Sequence, residues 1–212
     1  ERSRGLGDVY KRQVQVLDIS DVDNIVTKDN LNKDEPAELN GARDVATFVI
    51  GSSTYAIVAS RDDNGVQIID ISDVDTLVAK GSMDDTDGSL ELDGAADVAT
   101  FVIDSSTYAI VTSIDDDGVQ IIDISDVDNL VATDSLGDNG SLALDAARHV
   151  NVFTIDSSTY AIVTSSADDG VQIIDISDPE NIEAKDSMVD TDGTLELDGA
   201  RGIDVFTICL LY

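Results

Sequence analysis

The residues that could do chemistry in this chain are mostly aspartates, and they are densest in a segment that occurs twice. The first copy spans 84–94 and the second 190–199. Alternate carboxylates followed by a glycine turn and a later acid are typical of calcium loops, because hard oxygen ligands must converge around a sharp turn. The pattern therefore predicts eight calcium ligands. They are Asp85, Asp87, Glu91 and Asp93 in the first copy and Asp190, Asp192, Glu196 and Asp198 in the second.

The match to a known calcium loop is partial. An EF-hand has three alternating ligand positions and a glutamate six residues beyond its glycine, and neither copy meets both conditions. The alternative is that these acids only form solvated turns.

Other catalytic patterns are missing from the sequence. His149 is the one histidine, and it takes a repeat position that Asp44 and Asp97 occupy elsewhere, so we expect an incidental polar role for it. No Ser–His–Asp pattern stands out, and carboxylate pairs are too common here to indicate a glycosidase. We therefore expect no catalytic residues.

Two further sets of charged residues recur at repeat spacing. Aspartates within apolar strand ends are costly unless paired, so we expect them to accept hydrogen bonds in an Asp-Ile-Ser turn. Arginines recur before the first strand of a repeat, and we expect them to form ion pairs with acids of the crossovers between repeats. The aspartates are Asp70, Asp123 and Asp175, and the arginines are Arg43, Arg148 and Arg201.

Composition limits the possible partners. The chain has 212 residues, of which 44 are acidic and 12 basic, with a net charge of -32. So acidic a chain is repelled by nucleic acid and by anionic lipid, and no apolar run approaches the length of a membrane span. The 42% hydrophobic fraction is that of a folded protein. We expect a folded domain with no nucleic-acid partner and no membrane span.

An internal repeat organises the chain. The phrase Asp-Ile-Ser-Asp begins at Asp18, Asp70, Asp123 and Asp175, at spacings of 52, 53 and 52 residues. Each unit contains four short runs rich in β-branched residues, separated by tight-turn sequences, and no helical period is sustained. In the second full unit the runs are 97–103, 107–113, 118–124 and 129–136.

The strands are almost continuously apolar, which predicts sheets covered on both faces. Four-stranded sheets packed face to face meet that requirement, and a period of about 52 residues with four strands fits a β-propeller. A β-helix has shorter rungs, and an immunoglobulin-like array has longer units. We predict an all-β fold, an arc of a β-propeller built from four-stranded antiparallel blades.

The two ends depart from the repeat. Residues 1–13 and 209–212 resemble translated sequencing-adapter sequence, the alternative being divergent capping segments. Without them a partial propeller is expected over 14–208, with partial blades at both ends whose apolar faces lack a neighbour. The expected full blades are at about 43–83, 96–136 and 148–188.

One long phrase also carries a family resemblance. It reads Tyr-Ala-Ile-Val-Thr-Ser-x-Asp-Asp-Asp-Gly-Val-Gln-Ile-Ile-Asp-Ile-Ser-Asp at 108–126 and recurs in closely similar form at 55–73 and 160–178. It resembles the LVIVD repeat of bacterial and archaeal cell-surface proteins. The resemblance implies a propeller in a secreted or surface-anchored protein and implies no catalytic residues.

The function expected from the sequence is a non-enzymatic module that is extracellular or on the cell surface. It would serve adhesion or interaction with a surface protein or glycan, with calcium as a candidate bridging ion and no other cofactor. Neighbouring blades of the same parent chain are its other expected partners. One alternative is a larger enzyme or ligand-binding propeller whose active centre lies in other blades. Another is that the acidity serves only solubility in salt.

Overall fold

The computed structural model describes residues 13–32 and 37–206, and within these ranges the regular structure is β-strand apart from one 3-10 turn at Arg61–Asp63. Apart from Gln13, the predicted adapter segments lie outside the described residues. The strands are β1 Gln13–Asp18, β2 Val26–Asn32, β3 Ala42–Ile50, β4 Ser53–Ser60, β5 Gly65–Asp70, β6 Val78–Asp84, β7 Ala95–Ile103, β8 Ser106–Ser113, β9 Gly118–Asp123, β10 Val131–Gly137, β11 Ala147–Ile155, β12 Ser158–Ser165, β13 Gly170–Asp175 and β14 Glu183–Val189.

The strands form three antiparallel four-stranded sheets and one two-stranded sheet, each in sequence order. We call β3–β6 blade 1, β7–β10 blade 2, β11–β14 blade 3, and the β1–β2 sheet the half-blade. Three apolar clusters lie between successive sheets. This confirms the predicted all-β, propeller-like arrangement of four-stranded blades.

The central blade shows why its strands are continuously apolar. Val119 and Ile121 of β9 pack in the cluster shared with blade 3, whereas Ile122 and Ile124 pack in the cluster shared with blade 1. All four are fully buried. Because successive side chains point to opposite faces of a sheet, a strand that is covered on both faces carries apolar residues on each of them.

One face of blade 3 is more exposed than the corresponding face of blade 2. Val171 and Ile173 of β13 are partly exposed, although their counterparts Val119 and Ile121 in blade 2 are fully buried. Their side chains lie on the face that blades 1 and 2 pack against the following blade. The expected apolar end face is thus present on the described part of blade 3.

The first strands of the blades are neighbours across the blade interfaces, since β3 contacts β7 and β7 contacts β11. Each of these strands pairs with the next strand through a register shift at its second residue. Such a β-bulge breaks the regular alternation of side chains and re-aims one of them. The residues at the bulges are Arg43, Ala96 and Arg148.

Loops of two kinds emerge at one edge of the blades, which we call the crossover edge. These are the hairpins between the second and third strands of each blade and the crossovers to the next blade. In blade 1, Ala42 pairs with Ser60, Ser60 with Gly65 and Gly65 with Asp84, so these strand ends lie at one edge. The opposite edge, the far edge, carries the other turns. None of the described residues belongs to a helix that is long and apolar enough to cross a membrane.

A buried glutamine ties each crossover to its blade. In blade 2 the Gln120 Nε2 donates to the carbonyl oxygens of Ile121 and Asp134, both at 3.0 Å, and its Oε1 accepts the N–H of Glu91 at 3.2 Å. Gln67 and Gln172 accept crossover N–H groups in the same way. A buried amide that satisfies backbone groups in this way holds the crossover in one conformation.

Candidate functional site

The structure gives the first predicted calcium segment a turn-forming role. Asp85 is 6% exposed, and its Oδ1 accepts the N–H groups of Ser89 at 2.8 Å and Leu90 at 3.1 Å. Asp87 Oδ1 accepts the same Ser89 N–H at 3.2 Å. A carboxylate that accepts backbone N–H groups stabilises a tight turn in the way an Asx turn does.

Glu91 lies further inside the blade edge. Burial raises the pKa of its carboxyl, and the negative charges of Asp116, Asp85 and Asp117 raise it further. Its two oxygens occupy the space that a Cβ would fill at Gly118 and Gly137. The acids of the crossover and of the β8–β9 hairpin of blade 2 therefore approach one another at the crossover edge.

The remaining predicted calcium ligands either take part in turn hydrogen bonds or are exposed. Asp93 donates its backbone N–H to Asp116 Oδ2 at 2.6 Å. In the second copy, Asp190 Oδ1 accepts the N–H of Thr194 at 3.0 Å and Asp192 Oδ1 accepts it at 3.1 Å, whereas Glu196 and Asp198 are exposed. Across 13–32 and 37–206, no group of three or more His, Cys, Asp or Glu side chains is arranged to hold a metal ion. Calcium binding stays a prediction.

The recurring aspartates of the strand ends occupy the predicted turn. The Oδ1 atoms of Asp70, Asp123 and Asp175 accept the N–H of the serine two residues later at 2.9, 2.8 and 3.1 Å. Hydrogen bonds from the Ser72 hydroxyl and N–H lower the pKa of Asp70. These aspartates are therefore architectural.

A row of polar side chains, which we call the inner row, crosses three blades at the crossover edge. It consists of Asp44 on β3, Asp97 on β7 and His149 on β11, one residue from each first strand. Asp97 Oδ2 lies 3.6 Å from His149 Nδ1, and the Asp44 carboxyl shares a hydrogen bond with Asp97. The expectation of an incidental role for His149 did not anticipate this contact.

The inner row also joins the blades through backbone groups. Asp44 Oδ2 accepts the N–H of Val98 on the next blade at 3.2 Å, and Asp97 Oδ2 accepts the N–H of Val150 at 2.7 Å. Each carboxylate therefore satisfies an N–H of the following first strand, which would otherwise lack an acceptor in the interface.

Asp97 is the most perturbed acid of the row. Burial raises its pKa to about 7, the neighbouring Asp44 adds to the rise, and the hydrogen bond from Val150 opposes it. Asp97 is 6% exposed. At neutral pH this carboxyl can therefore both donate and accept hydrogen bonds, unlike an ordinary surface aspartate.

The arginines depart from expectation. We predicted ion pairs between Arg43, Arg148 or Arg201 and acids of the crossovers, but none of the three forms an ion pair within the described residues. Arg148 instead donates from Nε to the Ser166 hydroxyl at 2.9 Å. Arg43 and Arg148 lie at β-bulges, which take a side chain out of the regular alternation of its strand.

Several solved structures share this arrangement of blades. A protein from Lactobacillus plantarum matches with a TM-score of 0.58 and 13% identity, over 89% of this chain and 59% of its own. The exo-β-1,3-galactanase of Phanerochaete chrysosporium, solved with β-1,3-galactotriose, matches with a TM-score of 0.52 and 13% identity, over 84% of this chain and 43% of its own. A family 117 glycoside hydrolase of the marine bacterium Zobellia galactanivorans matches with a TM-score of 0.52 and 9% identity, over 74% of this chain and 49% of its own.

At such low identity these matches establish a shared fold and nothing more. The chain spans 59%, 43% and 49% of the lengths of these three proteins. No protein-family profile matches the chain, and no curated protein matches it. The LVIVD resemblance is therefore unconfirmed, whereas the four-stranded blade architecture is shared.

The expectation that the chain is not an enzyme is contradicted, because structures that share its fold include glycoside hydrolases. That expectation rested on the recurring repeats and their surface-type turns, on the lack of catalytic motifs, and on the family resemblance, which implies no catalytic residues. The inner row shows why the lack of motifs is a weak criterion. Its members lie 53 and 52 residues apart, so that no local motif reveals their contact. The only signal in the sequence was the shared repeat position of Asp44, Asp97 and His149.

Proposed function

We propose that this chain is part of an extracellular or cell-surface β-propeller of the LVIVD-repeat type, and that its crossover edge binds glycan. The observation that carries the proposal is the inner row, in which three successive blades supply interacting polar side chains at one edge. Sugar hydroxyls both donate and accept hydrogen bonds. A row that combines carboxyl and imidazole groups offers partners for both.

The fold supports the choice of glycan as the ligand class. One structure with the same blade arrangement is an exo-β-1,3-galactanase solved with β-1,3-galactotriose. A rigid set of blades that presents loops at one edge can hold different ligands by varying those loops and first-strand residues. The crossover edge of this chain has such loops, held by the buried glutamines Gln67, Gln120 and Gln172.

The surface location and the calcium ion belong to the same proposal. The surface location is supported by the phrase at 55–73, 108–126 and 160–178 and its resemblance to cell-surface repeats. Calcium at the predicted ligands in 85–93 and 190–198 would bridge the acidic crossovers to a ligand or to another surface.

The proposal is tested by isothermal titration calorimetry of the chain with β-1,3-galactotriose and a panel of neutral oligosaccharides. We expect at least one to bind, and His149→Ala to weaken that binding about tenfold, the loss of one hydrogen bond to a polar group. Asp104→Asn is the control, since Asp104 is an exposed residue of the far edge. Chromatography of the same mixtures detects any hydrolysis. If the chain binds none of the sugars at millimolar concentration, the proposal is wrong.

A further inference from the structure

Three arginines take the same repeat position at the crossover edge. Arg43 and Arg148 lie at the β-bulges of β3 and β11, and Arg201 follows Arg148 by 53 residues, the spacing of the repeat. Arg43 and Arg201 are exposed and Arg148 is partly exposed. A bulge takes a side chain out of the alternating pattern of its strand. These side chains are therefore available to solvent beside the inner row.

The arginines flank the inner row. Arg43 directly precedes Asp44 and Arg148 directly precedes His149, whose Nδ1 lies 3.6 Å from Asp97 Oδ2 on the strand between them. Burial lowers the pKa of Arg148, the positive charges of Arg201, Arg43 and Arg61 lower it further, and Asp115 opposes them. Like charges have this effect only when they are near each other and poorly screened by water. The arginines of the crossover edge therefore lie beside one another along the inner row.

The cluster is poorly neutralised by the protein itself. Arg61 is the one member with an ion-pair partner in the described residues, its Nη2 lying 3.3 Å from Asp115 Oδ2. Arg148 has only a neutral hydroxyl partner, that of Ser166. This is unexpected in a chain with 44 acidic residues. Gathering unpaired guanidinium groups costs free energy that a bound anion would recover.

We infer that Arg43, Arg148 and Arg201 bind an oxyanion group of the ligand, the carboxylate or sulfate of an acidic glycan. A guanidinium presents a planar fork of N–H donors that matches two oxygens of such a group. The sugar part of this inference rests on the proposed function, whereas the anionic part rests on the arginine cluster. The ligand class thus becomes a glycan that carries acid groups.

The field of the whole chain helps to select among anions. A net charge of -32 repels dissolved anions, and this repulsion is screened beyond about 8 Å at physiological salt. A small ion has only the arginines to hold it. An acidic glycan adds hydrogen bonds from its sugar hydroxyls to the inner row, so it should bind more tightly than a small anion.

The test uses calorimetry at fixed ionic strength with three probes: trigalacturonate, a sulfated galactan trisaccharide and inorganic sulfate, with neutral β-1,3-galactotriose for reference. The variants are Arg148→Gln and Arg201→Gln. The second is included because Arg201 is exposed and makes no hydrogen bond in the described structure that the fold could lose. Lys80→Gln is the matched control, since it removes one positive charge from a side chain paired with Asp128 at 3.1 Å near the far edge.

We expect an acidic trisaccharide to bind at least about tenfold more tightly than the neutral one, the gain from one charge-assisted hydrogen-bonded pair. Both arginine variants should lose this preference, and Lys80→Gln should keep it. Equal binding of neutral and acidic sugars by all variants would overturn the inference and leave the proposed function standing. If inorganic sulfate binds but none of the three sugar probes does, both the inference and the proposed function are overturned. If no probe binds, both are overturned as well.

Discussion

Asp97→Asn is the substitution whose effect follows most directly from the structure. Asparagine keeps an oxygen that can accept the N–H of Val150, which lies 2.7 Å from Asp97 Oδ2, and its amide can donate to Asp44. It removes only the ability to ionise. The variant therefore separates the charge of the inner row from its hydrogen bonds.

The expected pH dependence follows from the direction of the pKa shift. Because the pKa of Asp97 is raised on folding, the folded chain holds this proton over a pH range in which the unfolded chain has released it. The contribution of Asp97 to the stability of the wild type is therefore greatest below the pKa that Asp97 has in the unfolded chain. It falls as pH rises through the folded value and stays low above it. The asparagine variant should lack this fall.

The size of the effect can be worked out from the shift. A rise from 3.8 to about 7 corresponds to about 4 kcal/mol in the free energy of unfolding. Partial access of water to the row reduces this to about 2 kcal/mol. The negative charge of the neighbouring Asp44 contributes to this rise in the pKa of Asp97, so the size of the effect depends on that neighbour as well as on burial.

The assay is urea unfolding followed by circular dichroism at pH 5 and pH 8, at constant ionic strength. We expect Asp97→Asn to gain about 2 kcal/mol over the wild type between these two pH values. Asp104→Asn, the control, removes one exposed carboxylate and should follow the wild type, which corrects for the general effect of net charge. Parallel pH dependence of Asp97→Asn and the wild type would refute the buried, proton-sharing description of the inner row.

Two other predictions concern packing and calcium. Ile121→Ala should lower the free energy of unfolding by about 2–5 kcal/mol, because Ile121 is fully buried. Ile173→Ala, at the same repeat position, should lower it clearly less, because Ile173 is partly exposed. Equal losses in urea unfolding would mean that the end face of blade 3 is covered. Calcium should raise the thermal midpoint saturably relative to magnesium or chelator at fixed ionic strength, and Asp87→Asn should reduce that rise; equal midpoints in all three solutions would refute the calcium prediction.

The blades were predictable because their causes are local and repeated. The runs of β-branched residues specify strands, and glycine or an Asp-rich turn specifies each reversal. The Asp-Ile-Ser turns at Asp70, Asp123 and Asp175 were predicted for the same reason, since the hydrogen bond spans only two residues. The repetition of each signal in several units made these predictions firm.

The candidate site was only partly predictable. The crossover acids were found from their spacing, but the hydrogen bonds of Asp85 to Ser89 and Leu90 depend on how the loop folds back. The arginines were assigned to the wrong partners because a sequence pattern does not reveal a β-bulge. The shift of one residue at Arg43 and Arg148 changes the direction of the side chain and hence its neighbours.

The repeat alone specifies the strands, the four-stranded blades and their two apolar faces, because these depend on the order of polar and apolar residues within about 52 positions. The contacts of the inner row and the gathering of the arginines depend on how successive blades stack. Asp44, Asp97 and His149 are 53 and 52 residues apart in the chain and meet only because the first strands of adjacent blades lie side by side. Burial in that interface, and not the identity of the residue, raises the pKa of Asp97.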